Sequence, residues 1–223
     1  SQFASLNKKI VDCKKCKRLV TFRKKIAKEK RKQYINEKYW GKPINGFGDS
    51  KGEILFVGLA PAAHGGNRTG RVFTGDKSSD FLYKCLYNAK ISNKNKSDHI
   101  NDGLKLNNAF ITAALKCVPP EDKPEKKELD NCFNYFHEEI NILKNLKVIV
   151  ALGKIAFDAC VNFYKQNYNF KDKIKFGHSE TFKLPNNILL VGCYHPSPRN
   201  VNTGRINEKK MTYLFQSIIK KIN

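Results

Sequence analysis

Glu53-Ile-Leu-Phe-Val57 runs directly into Gly58-Leu-Ala-Pro-Ala-Ala-His-Gly-Gly-Asn-Arg-Thr-Gly-Arg-Val-Phe-Thr-Gly-Asp76. The first five residues are an apolar run of strand type. The segment after them is built of small residues and carries His64, Asn67, Arg68, Arg71, Phe73 and Asp76. A buried strand that opens into such a loop reads as part of a parallel sheet. Loops beyond the carboxyl ends of parallel strands are where α/β proteins bind ligands. Glycines at 58, 65, 66, 70 and 75 let backbone N–H groups approach a substrate closely. No Gly-Lys-Ser/Thr comes after it, so this is not a Walker phosphate loop.

Working outward, three further apolar runs repeat the strand pattern: Ala109–Ala113, Val148–Leu152 and Ile188–Tyr194. Between them lie helical patterns after Asp76 through Tyr87, from Leu129 to Leu143 and from Gly153 to Tyr164, with a last helix from about Glu208. Continuous apolar strands alternating with helices predict an α/β fold, a parallel sheet covered on both faces. Lys24–Tyr39 is expected to be helical and highly charged. Residues 1–24 are expected to hold a Cys-x-x-Cys and a basic turn, 92–106 to be irregular, and 167–187 to include a hairpin.

Lys and Arg total 42 against 20 acids, a net charge of +22. That excess points to a polyanionic partner, although a lysine-rich solvated surface also produces it. The charge run Lys24–Lys32 fits either reading. No run of about 18 apolar residues is present to span a membrane. No apolar segment of signal type stands at the N-terminus, so a cytoplasmic, nucleoid-associated location is expected.

Seven cysteines in such a chain argue for a metal rather than for disulfides. Cys85, Cys160 and Cys193 lie in apolar patterns and read as small core residues. Cys13, Cys16, Cys117 and Cys132 remain as four candidate ligands from two separated segments. Four thiolates hold zinc or an iron–sulfur cluster, and the wide Cys117–Cys132 spacing suits the larger group better than a zinc ribbon.

The second chemical motif closes the last strand: His195-Pro-Ser-Pro-Arg-Asn-Val-Asn-Thr-Gly-Arg205. It places His195 in the same layer as the loop after the first strand. Prolines at 196 and 198 stiffen the loop, and Ser197, Arg199, Asn200, Asn202 and Arg205 supply donors for a phosphate or a base.

These two motifs resemble the signature motifs of the uracil-DNA glycosylase superfamily, most closely the family-5 type (UDGb). Cys13, Cys16, Cys117 and Cys132 match the four ligands of the [4Fe–4S] cluster shared by family-4 and family-5 enzymes. The resemblance runs from Cys13 to the last helix. It implies a three-layer α/β/α fold with a central four-stranded parallel sheet, formed as one domain over 1–223. Residues 1–48 would be a helical extension holding a structural cluster. It implies a monofunctional DNA glycosylase of base-excision repair that flips and excises uracil and leaves an abasic site. Other deaminated bases such as hypoxanthine are expected substrates. The protein would act as a monomer on single- or double-stranded uracil-containing DNA.

Site roles are assigned by position. Leu59 stands where family-4 relatives carry an acid, so the loop's remaining acid, Asp76, is the expected water-activating group. Phe73 matches the aromatic that stacks on the flipped base, and His195 the histidine that hydrogen-bonds the base carbonyl. Asp122 stands where family members often have Asn. Ala113 stands at the base-recognising Asn position of family-4 relatives, which implies looser reading of the base edge. N–H groups around Ala62, Ala63 and Gly66 are expected to stabilise the leaving base. His64 and Asn67 are expected to orient it, with a plain turn role as the alternative for His64. Arg68, Arg71, Arg199 and Arg205 are the expected phosphate contacts. Two competing readings remain at this point: a non-catalytic nucleic-acid module around a metal, and a small-molecule enzyme such as a nucleotide hydrolase.

Overall fold

The computed structural model describes all 223 residues. Six strands form one sheet: β1 (Phe47–Gly48), β2 (Ile54–Gly58), β3 (Ala109–Ala113), β4 (Val148–Leu152), β5 (Thr181–Leu184) and β6 (Ile188–Cys193), in the order β1-β3-β2-β4-β6-β5. The central four, β3-β2-β4-β6, are parallel as expected. Two short antiparallel strands add to the edges, β1 on β3 and β5 on β6. The two-residue β1 carries too little apolar pattern to be read from sequence, and of the hairpin expected within 167–187 only β5 lies there, its partner being β6 beyond it.

Eight helices complete the chain: α1 (Gln2–Val11), α2 (Lys17–Glu29), α3 (Gly66–Thr69), α4 (Lys77–Asn88), α5 (Lys126–Ile142), α6 (Lys154–Tyr168), α7 (Pro198–Asn202) and α8 (Glu208–Ile222). Strand residues alternate between two cores. Ile54, Phe56, Ile111 and Val150 pack with α4 and α8. Leu55, Val57, Phe110 and Ile149 pack with α5 and α6 on the other face. All three layers are therefore present, and the period-two alternation of each strand builds them.

The N-terminal expectation needs correction. Residues 2–11 form a helix, capped by the Ser1 hydroxyl, whose apolar side places Leu6 and Ile10 in a small core with Leu19, Leu115, Cys132 and Tyr135. The helix expected at 24–39 lies instead at 17–29 and ends where Lys30 turns to a φ of 59°. Burial of Leu19 and Arg23, one turn apart, fixes that register; the charges of 24–32 do not.

Strand β2 connects to β3 on one side, whereas β4 connects to β6 on the other. The carboxyl ends of β2 and β4 therefore border a switch point, where doubly wound sheets leave a crevice. Between the end of β3 and α5 a charged pair is sealed inside. Lys116 Nζ donates to Glu139 Oε1, to Thr112 Oγ1 at 2.7 Å and to Ala113 O at 2.7 Å, and Thr112 donates to Glu139 Oε2 at 2.7 Å. Both charged side chains are 1 % exposed. Removing one partner strands the other charge in the core. Glu139→Ala should thus lower unfolding free energy by about 3–5 kcal/mol, read from the urea midpoint. A loss under about 1 kcal/mol would show that Lys116 finds another partner.

Candidate active site

The crevice is a cavity of about 470 Å³. Four chain segments wall it: Leu59–Gly66 after β2, Phe73–Ser78 ahead of and into α4, Leu152–Ala156 where β4 passes into α6, and His195–Pro198 after β6. Asp122 closes it from a fifth. The two sequence motifs, more than a hundred residues apart, thus share one pocket.

Phe73 lies over the end of β2. A side chain at Gly58 would place its Cβ 2.5 Å from the ring, so only glycine lets the ring settle there. The Phe73 and His195 rings are 6.4 Å apart, centre to centre, inclined by 40°. Gly153 has a φ of +97°, and a Cβ on it would stand 3.2 Å from that of His195. The strand ends are therefore stripped of side chains where the two rings need room.

Asp76 is the N-cap of α4. Its Oδ1 accepts from the Ser79 backbone N–H at 2.8 Å and the Ser79 hydroxyl at 2.6 Å, which orients the carboxylate and leaves Oδ2 for a ligand. Burial pushes the His195 imidazole below its ordinary value, against the opposing charges of Asp76 and Asp122. A neutral ring is a hydrogen-bond donor that brings no charge into the pocket. Its backbone is held from behind, since Asn200 Nδ2 donates to the His195 carbonyl at 2.9 Å. Next to it, Tyr194 N–H donates to His178 Nδ1 at 3.0 Å, and burial pushes His178 down to about 4.

Several expected contacts move. Arg71 is buried and its guanidinium is spent on Asp102, Ser97 and Thr74, so it offers nothing to a phosphate. Arg68 is also turned inward. It bonds Glu37, the His64 carbonyl and the Gly75 carbonyl, and stacks 3.9 Å from the centre of Tyr34. Asn67 is 1 % exposed and donates to the Arg23 carbonyl, away from the pocket, so it does not orient a base. His64 bonds Tyr39 Oη through Nδ1 at 2.8 Å and stands outside the lining, which supports the turn role. Ala62 and Gly66 line the cavity; Ala63 does not. Asn200 is an inward clasp, while Arg199, Asn202 and Arg205 stand exposed around α7, and Ser197 both caps α7 and lines the pocket. An arginine pattern does not distinguish a phosphate clamp from an internal tie, because both need the same donors.

One pocket wall was not expected from sequence. The first turn of α6 supplies Lys154, Ile155 and Ala156. Its free N–H groups and positive end face the cavity and favour an anion there. The signal was Gly153 between an apolar strand and an apolar helix.

Cys13, Cys16, Cys117 and Cys132 all line one small recess between α2, α5 and the segment after β3. Asn131 Nδ2 donates to Cys16 Sγ at 3.3 Å, and Lys116 and Tyr135 line the same recess. No three Cys, His, Asp or Glu side chains gather closely enough to hold a single metal ion. Four thiols from two separated segments are the donor chemistry that zinc and iron–sulfur groups both take. Cys85, Cys160 and Cys193 are buried core residues as expected.

Residues 45–219 match the family model described as the uracil DNA glycosylase superfamily. The chain belongs to that superfamily. It is 38 % identical over 216 residues to a type-5 uracil-DNA glycosylase of Mycobacterium tuberculosis, covering 96 % of this chain and 80 % of that protein. It is 39 % identical over 208 residues to one of Pyrobaculum aerophilum, covering 93 % and 88 %. A third, from Thermus thermophilus, is 41 % identical over 197 residues, 88 % of each chain. In this superfamily member both signature motifs fall within the matched region, and so do Cys117 and Cys132. Cys13 and Cys16 precede it.

The imidazole shift gives a direct check. The NMR titration of His195 should have its midpoint below the ordinary 6.5 or so. Asp76→Asn removes a charge that favours protonation, so the midpoint should fall further. A midpoint above 6.5, or one that rises in the variant, would contradict the neutral ring.

Proposed function

We propose that this protein excises uracil from DNA by hydrolysing its N-glycosidic bond, leaving an abasic site for base-excision repair. The observation that carries the reading is the shared pocket: Phe73 and His195 face one cavity with Asp76 at its wall. Its size suits one nucleobase and its sugar, and family membership supplies the reaction class.

A base inside a duplex is out of reach, so it must be turned out at a cost of a few kcal/mol. Arg199 and Arg205, exposed in and after α7, and Lys154 at the pocket wall, which exchanges Asp158 for a phosphate, offset that cost. The base stacks on Phe73. The bond from C1′ to the base breaks with its electron pair retained by the base, while the sugar gains oxocarbenium character. Uracil leaves as an anion whose charge spreads over two carbonyl oxygens. His195 donates a hydrogen bond to that charge, and the first turn of α6 faces it, as an oxyanion hole would. Asp76 Oδ2 orients water towards C1′, offsets the sugar cation and takes the water's proton. No carboxamide side chain lines the pocket to read a base edge. This supports acceptance of other deaminated bases, hypoxanthine included.

The four-cysteine recess is proposed to hold a [4Fe–4S] cluster through Cys13, Cys16, Cys117 and Cys132. When bound, the cluster ties the N-terminal helices to α5 and the segment after β3. Location with the nucleoid and action as a monomer belong to the same proposal.

Incubation with a duplex holding one U·G pair, then alkali, should cut the strand at the uracil. His195→Ala should slow excision by roughly 10²-fold or more. No alkali-sensitive product from folded protein would sink the reading, and an unchanged rate would remove His195 from it. The purified protein should be brown and contain iron. Stoichiometric zinc without iron would refute the cluster.

A further inference from the structure

Phe73 has a φ of 46°, a left-handed conformation that costs a non-glycine residue energy and persists only where its surroundings impose it. What imposes it comes from far along the chain. Asp102, in the loop between α4 and β3, takes Arg71 in a two-pronged grip: Nη1 to Oδ1 at 3.0 Å and Nη2 to Oδ2 at 2.7 Å, both side chains under 5 % exposed. Arg71 Nη2 also donates to Ser97 Oγ, Ser97 Oγ meets Thr74 Oγ1 at 2.7 Å, and Thr74 Oγ1 bonds the Val72 carbonyl at 3.0 Å. Gly75 N–H donates to the Ser97 carbonyl at 3.0 Å. Every residue beside Phe73, from Arg71 to Gly75, is thus tied directly or through one link to Ser97 or Asp102.

Asp102 is itself fixed. Its oxygens accept from the N–H groups of Asp98 and Leu104 at 2.9 Å each. Burial works to raise its carboxyl, yet the Arg71 bonds, those N–H groups and the Arg71 charge together hold it well below the usual carboxylate range. The ring of Phe47 covers the guanidinium from the β1 side, 4.8 Å away.

We propose that the loop 97–104, through Asp102 and Ser97, is a positioning element that holds Phe73 in its base-stacking pose. Asp102 touches no substrate; it acts through Arg71. This rests on the reading of the pocket as a base-excision site. It makes the loop part of the catalytic architecture rather than a neutral insertion, since a ring displaced by about 1 Å costs up to 10²-fold in rate.

The test is a double-mutant cycle in single-turnover excision from a U·G duplex, with wild type, Asp102→Asn, Phe73→Ala and the double variant. Asp102→Asn alone should slow excision by about 10-fold or more, but should slow the Phe73→Ala protein less than about 2-fold, because the ring it positions is gone. Equal slowing in both backgrounds, or none in wild type, overturns the proposal. Ser97→Ala keeps the ion pair and serves if Asp102→Asn does not fold. It should slow wild type by about 3-fold and Phe73→Ala not at all, and equal slowing again refutes the idea. Inactive wild type would sink the excision reading instead. A crystal structure of Asp102→Asn without DNA then decides the clamp alone. Phe73 lifted from Gly58 supports it, and Phe73 unmoved overturns it.

Discussion

The missing side chain at Gly58 is the constraint on which the pocket depends. Strand β2 ends in a residue that a phenylalanine ring covers at a distance no Cβ would permit. With any larger residue there, Phe73 would have to leave its seat, and the 6.4 Å arrangement of the two rings would be lost. The same economy recurs across the crevice, where Gly153 yields to His195. Two bare strand ends on either side of the switch point convert the carboxyl end of the sheet into a slot with an aromatic floor and an imidazole wall.

Around that slot the polar groups divide by burial. Arg68, Arg71, Asn67 and Asn200 face inward and hold loops in shape; Arg199, Asn202 and Arg205 face outward. The protein spends its interior hydrogen bonds on rigidity and leaves its surface charge for a polyanion. An active site made of loops needs such internal bracing, because fixed donors stabilise a departing anion only if they do not move to meet it. The thiol recess extends the bracing to the N-terminal helices, which meet α5 through Leu6, Ile10 and Tyr135.

The four central strands were legible to within a residue or two because each is apolar, Thr112 aside, and flanked by turn or helix signals. His195 was legible at the mouth because it follows the last strand directly, whereas the roles expected of Asp76 and Phe73 came from the resemblance of their motif. The features that escaped depend on partners distant in sequence. Arg71 looked like a phosphate ligand because nothing near it reveals Asp102 thirty-one residues away. Asn67 looked like a base reader because its real partner is the Arg23 carbonyl. The α1 helix was hidden by a chain start rich in polar residues, whose apolar side makes sense only against α5. The first turn of α6 was read as a helix start, but not as a wall, since that requires knowing that β4 borders the switch point.

A crystal structure of the protein bound to duplex DNA bearing 2′-fluoro-deoxyuridine, whose fluorine slows departure of the base, tests the central claim most directly. The account predicts uracil turned out of the helix, its face on Phe73, a carbonyl oxygen within hydrogen-bond reach of His195, and Asp76 Oδ2 on the side of C1′ away from the base. A uracil seated in another cavity, or one in this slot with His195 and Asp76 both turned away, would contradict it.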